Sequence, residues 1–165
     1  GAHIYAIGDS YLEGNGINYN DNWLNLLVAR YNAQLVSHGK NGSAISAYAK
    51  NNNPMVNRYQ NLPNDPDADI IIFDEPSAVL TPQEVTELLA TMRKLAAMGK
   101  SIIIITHKLN EVKDISDRVA ILRKGEYITT VDTATTTEQE LPHIFNLTDP
   151  RRAIYRCVYC ETKAE

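Results

Sequence analysis

Four residues carry groups that enzyme chemistry uses: Ser10, the adjacent carboxylates Asp74 and Glu75, and His107. Each closes a short apolar or β-prone run. Ser10 follows Ile4-Tyr5-Ala6-Ile7, the carboxylates follow Ile70-Ile71-Ile72-Phe73, and His107 follows Ile102-Ile103-Ile104-Ile105-Thr106. A serine hydroxyl attacks a carbonyl only when a base takes its proton, and a histidine oriented by a carboxylate is the common base. Serine, histidine and carboxylate on one edge of a sheet therefore point to acyl transfer, provided that they come within hydrogen-bond reach. Gly42 belongs to the same edge.

The elements that must position these groups follow from the pattern between them. An uninterrupted apolar run ending in two carboxylates reads as a strand buried on both faces, as in a parallel sheet. Ser101 to Ile105 reads the same way. Gln34 to Ser37 reads as a shorter strand, followed by a loop at Gly39-Lys40-Asn41-Gly42-Ser43. Between the strands, Trp23, Leu24, Leu27, Val28 and Tyr31 recur at helical spacing behind the capping candidates Asn20, Asp21 and Asn22. Thr81-Pro82-Gln83-Glu84 predicts a helix start with a capping box, and Gly99 predicts its end. A helix over 44–59 is interrupted by Asn51-Asn52-Asn53-Pro54, and a short helix runs from about Asn110 to Ser116. Arg118 to Leu122 and Tyr127 to Val131 read as strands around a turn, and Thr137 with Glu140 starts a last helix. Strands alternating with helices imply an α/β three-layer sandwich with a mainly parallel, flavodoxin-like sheet in the order 2-1-3-4-5. Right-handed crossovers then put Ser10, Gly42, Asp74, Glu75 and His107 on one edge.

Composition narrows the classes. The chain has 165 residues, 44% hydrophobic and 22% charged, which suits one domain with a real core. A net charge of −4 without a basic block gives no push toward nucleic acid or an anionic membrane surface. No apolar run approaches the roughly 20 residues of a membrane helix. No signal peptide is read at the start, where Gly1-Ala2-His3 is consistent with a scar of tag removal, and a cytoplasmic setting is expected. Cys157 and Cys160 form a lone C-x-x-C without a second ligand pair, so neither zinc nor any other cofactor is expected. Arg151 to Glu165 shows no clear period, and 147–165 is expected to be a tail of unknown origin, open to disorder.

Gly8-Asp9-Ser10, Trp23 and Leu27, Asn41-Gly42 and Asp67-Ala68-Asp69-Ile70-Ile71-Ile72 occur in an order that resembles the SGNH (GDSL) hydrolase family over about residues 4–72. The resemblance implies that Ser10 is the nucleophile for ester cleavage, that Gly42 and the Ser10 N–H help form the oxyanion hole, and that a small ester is the substrate. The asparagine of that family's third block is replaced by Phe73-Asp74-Glu75-Pro76, and its Asp-x-x-His near the C-terminus is absent.

Residues from Asp69 to about Asn146 resemble instead the C-terminal half of an ABC-transporter ATPase of the sugar and nucleoside importer type. The resemblance rests on Ile70 to Pro76 as a Walker B strand, Ser77 to Pro82 as the D-loop, Ile105-Thr106-His107 as the switch segment, and Asp117 to Gly125 as the final strands. It implies that Asp74 orients Mg²⁺ through water, that Glu75 polarises the attacking water and that His107 contacts the γ-phosphate. No Gly-x-x-x-x-Gly-Lys-Ser/Thr and no Leu-Ser-Gly-Gly occurs, so nothing in the chain cradles the phosphates.

The two resemblances meet inside one strand. The expectation is a chimera, made by design or laboratory recombination, forming one α/β domain over 1–146. It is expected to lack a complete active site and efficient catalysis, and no partner is implied. The alternatives are a weak serine esterase using Ser10 and a remnant nucleotide-binding ATPase.

Overall fold

The computed structural model describes residues 1–8, 22–39, 68–77, 80–123, 126–137, 140 and 158–160. The expected helix over 44–59, the loop around Gly42 and most of the tail lie outside them. Among the described residues, seven strands form one sheet: β1 (His3–Gly8), β2 (Gln34–Gly39), β3 (Ile70–Asp74), β4 (Ser101–Ile105), β5 (Arg118–Arg123), β6 (Glu126–Asp132) and β7 (Val158–Cys160). Their spatial order is β2-β1-β3-β4-β7-β5-β6. The first four are mutually parallel, with Ile4 opposite Ile70 and Ile70 opposite Ser101. The fold is therefore α/β with a mainly parallel core, and its first four strands stand in the expected order.

Among the described residues, three helices cover the sheet: α1 (Trp23–Tyr31), α2 (Pro82–Ala97) and α3 (Leu109–Ile115). Side chains alternate along a strand, so each strand feeds two layers. Ile7, Ile71, Phe73, Ile102 and Ile104 meet Leu88, Leu89, Met92 and Leu95 of α2 and Val112 of α3. Ile4, Ala6 and Ile72 meet Leu24 on the opposite face, with Leu27 and Val28 packed beside it. Ile103 and Ile105 of β4 are only half-buried, although the apolar run predicts burial on both faces.

Helix ends obey local chemistry. The Asn22 side chain accepts from the Leu24 N–H, and Gly99 takes a φ of 84° after α2. At the start of α2 the Thr81 hydroxyl accepts from the Glu84 N–H, and the Glu84 carboxylate accepts from the Thr81 N–H at 2.8 Å. The Thr81 N–H first, and its hydroxyl second, hold the Glu84 carboxyl below its ordinary value of 4.5. Thr137 holds the Glu140 carboxyl down in the same way. A lowered folded-state value means a contribution present above the unfolded value and lost as pH falls through the folded one. Thr81→Ala is therefore expected to lower Tm by about 3 °C at neutral pH. The gap between variant and parent should narrow in acid, once Glu84 is protonated in both. Thermal melts across the acid range check both points.

The far side of the sheet differs from expectation. Val158–Cys160, inside the tail expected to be open to disorder, lies antiparallel to β4 with Ile102 opposite Cys160. It also touches β5 through Arg118 opposite Tyr159. Strand pairing is satisfied by backbone N–H and C=O groups, which need no side-chain pattern. The β5–β6 hairpin pairs as read, with an irregularity between Ile121 and Leu122.

Candidate functional site

The carboxyl ends of β3 and β4 build the site. The Glu75 N–H donates to the Ile105 carbonyl at 2.8 Å, which carries the pairing one residue beyond β3. The chain then turns with Glu75 at φ 45°, in the left-handed region that side chains enter at a cost on the order of 1 kcal/mol. That turn brings Glu75 Oε1 to 3.0 Å from His107 Nδ1. Glu75 is largely covered, at 18% exposure, whereas His107 is 60% exposed. A carboxylate only accepts hydrogen bonds, so the imidazole donates through Nδ1–H, and Nε2 is left as the proton-accepting atom. A histidine held in this way can take a proton from a hydroxyl or a water molecule.

Asp74 is buried at the last position of β3, opposite Ile105 and on the strand face of Ile70 and Ile72. Of the two carboxylates, Glu75 is the one hydrogen-bonded to His107. Ser10 and Gly42 lie outside the described residues. The structure thus brings together Glu75 and His107, with Asp74 adjacent in the chain.

A second polar cluster escaped the sequence reading. Ser77 Oγ donates to Glu111 Oε2 at 2.7 Å, and Thr106 Oγ1 donates to the same oxygen at 3.4 Å. Lys108 Nζ lies 3.5 Å from Glu111 Oε1 and donates to the Ser77 carbonyl at 2.7 Å. The Lys108 N–H donates to Thr106 Oγ1 at 3.2 Å. Glu111 is buried, as are Ser77 and Thr106. In sequence Glu111 is one acid in the first turn of a short helix, and such an acid usually faces solvent. The signal that was present is the Lys108–Glu111 spacing of three beside Thr106. An open groove of about 590 Å³ runs past this cluster between α2 and α3, lined by Val85, Leu89, His107, Lys108 and Asp114 among others.

No protein-family model matches the chain. A nucleoside import ATP-binding protein of Lactococcus lactis is 53% identical over 77 residues, which cover 47% of this chain and 15% of that protein. A guanosine import ATP-binding protein of Bacillus subtilis is 57% identical over 74 residues, covering 45% and 14%. Nearly half of the chain is similar to import ATP-binding proteins. The chain spans only about a seventh of their length, 14% or 15%. Among solved structures, a psychrotrophic esterase of Pseudoalteromonas sp. overlaps 63% of this chain and 58% of its own, at 15% identity and a TM-score of 0.47, which falls short of a common fold.

Among the described residues, no group of three or more His, Cys, Asp and Glu residues is arranged to hold a metal ion. No described helix is long and apolar enough to cross a membrane.

Proposed function

We propose that the chain is a recombined α/β scaffold in which an SGNH-like front half is joined, within β3, to a piece of an importer-type ATP-binding protein, and that it hydrolyses ATP with no useful efficiency. The observation that carries this reading is the similarity to import ATP-binding proteins over 77 residues, 15% of the relative's length, in a chain without a phosphate-cradling loop. Glu75 and His107 keep a hydrogen bond suited to positioning a reacting water. Mg²⁺ in such chemistry is held largely by nucleotide phosphates and a loop hydroxyl, so carboxylates at a strand end bind it weakly. Isothermal titration with Mg·ATP into the millimolar range is expected to show no saturable binding. A saturable isotherm at micromolar concentration overturns the reading.

The 3.0 Å Glu75–His107 bond favours a second reading, slow ester hydrolysis. In it Glu75 orients His107, Nε2 takes the Ser10 proton, and the Ser10 oxygen attacks the ester carbonyl. The acyl group passes to Ser10 with release of the alcohol, and water then frees the acid. With short-chain p-nitrophenyl esters, Ser10→Ala and His107→Ala are each expected to remove at least about 90% of any turnover above buffer, a conservative floor for loss of a nucleophile or base. Turnover unchanged in Ser10→Ala rules the ester reading out.

A further inference from the structure

We propose that Glu111 is a positioning residue whose buried carboxylate clamps the turn after β3 to the turn after β4 and thereby holds Glu75 and His107 together. The inference rests on Glu75 and His107 acting as a pair, as the ester reading requires.

The pair is assembled from two separate loops. Glu75 stands in the turn after β3 and His107 in the turn after β4, and the backbone tie at this point is the Glu75 N–H to the Ile105 carbonyl. That bond fixes the β3 end but does not reach the residues beyond Glu75 or beyond Thr106. Glu111 reaches both. Its Oε2 accepts from Ser77, two residues after Glu75, at 2.7 Å. The same oxygen accepts from Thr106, one residue before His107, at 3.4 Å. Lys108, one residue after His107, closes the ring, with Nζ 3.5 Å from Glu111 Oε1 and 2.7 Å from the Ser77 carbonyl. His107 is therefore flanked on both sides by residues tied to Glu111.

The clamp matters because the pair is poorly supported by itself. His107 is mostly exposed, so water competes for its hydrogen bond to Glu75 and that bond alone holds the pair weakly. Glu75 holds an unfavourable left-handed φ, so its turn relaxes unless the residues after it are anchored. A buried carboxylate with a short hydroxyl bond and an ammonium group is a stiff anchor, since releasing either partner leaves a polar group without compensation.

The readout is the tautomer of His107 in the full-length, isotope-labelled chain. Long-range proton–nitrogen correlation spectra are recorded at mildly alkaline pH, where free imidazole is neutral, and His107→Asn identifies its signals among the four histidines. The parent is expected to show the Nδ1–H form, because Glu75 takes that hydrogen bond. Glu111→Ala is expected to release His107 to the Nε2–H form that imidazole prefers in water. Glu111→Gln, which keeps an oxygen for the Ser77 hydroxyl, is expected to restore the Nδ1–H form. A folded Glu111→Ala chain that retains Nδ1–H overturns the proposal, as does a Glu111→Gln chain that loses it as fully as alanine. Should Glu111→Ala not fold, Ser77→Ala takes its place: a reduced Nδ1–H fraction supports the clamp, and an unchanged one overturns it. Glu75→Ala separates the layers. If that variant leaves the tautomer unchanged, the pair itself fails. If it changes the tautomer and the Glu111 variants do not, only the role of Glu111 fails.

Discussion

Phe73→Ala is expected to destabilise the protein by about 3–5 kcal/mol, the range for truncating a fully buried aromatic side chain. Phe73 stands near the middle of the sheet, opposite Ile7 of β1 and Ile104 of β4, and is 0% exposed. It packs into the cluster that contains the whole apolar stripe of α2. The void left by its ring would have strands on both sides and a helix above, none of which can shift without breaking pairing elsewhere. Because a domain of this size is stable by only about 5–15 kcal/mol, the variant should unfold at a much lower urea concentration and sit near its threshold at body temperature. Ile128→Ala is the control. Ile128 is largely exposed on β6, and its loss should stay within about 0.5 kcal/mol. A Phe73→Ala cost below about 1 kcal/mol would mean that the sheet centre is not close-packed.

The second large effect concerns the joint between the halves. We propose that they form one cooperative domain. Residues 1–67 and 68–165, produced separately, are then expected to lack any cooperative unfolding transition, as read by circular dichroism against urea. β1 has a partner on each side, β2 from the front half and β3 from the back half. Cutting before Ala68 leaves one long edge of β1 and one of β3 without pairing. It also divides the larger core, because Ile7 belongs to the same cluster as Leu88, Met92 and Ile102. A back fragment that unfolds cooperatively by itself would show two independent units.

What could be read from the sequence is what local chemistry decides. Thr81, Pro82 and Glu84 make their helix start among themselves, and Gly99 supplies the one conformation that ends it. Continuous runs such as Ile70 to Phe73 are strands because both faces of a central strand are covered. The site was legible in its ingredients, since Glu75 and His107 each end such a strand. Their contact was not, because it depends on register between β3 and β4 and on a left-handed φ that nothing in Asp74-Glu75-Pro76 announces. Glu111 was hidden for a different reason. A carboxylate becomes a buried anchor only when Ser77, Thr106 and Lys108 converge on it from other elements. Val158-Tyr159-Cys160 was hidden because three residues carry no period, and its partners are chosen by an open slot elsewhere. The positions of Ser10 and Gly42 relative to this edge lie outside the described residues.

The slot filled by β7 also constrains the order of events when the chain folds. β1 to β4 are ordered by pairings available once residue 105 exists, whereas among the described residues β5 and β4 are joined in the sheet only through residues 158–160. Ile102 must wait for Cys160, and Arg118 for Tyr159. Closing such distant contacts is entropically slow. During synthesis from the N-terminus, the side of β4 that takes β7 therefore stays without that partner until residue 160 has emerged. That interval, rather than any weakness of the finished sheet, is when the chain is most prone to pair with a neighbour.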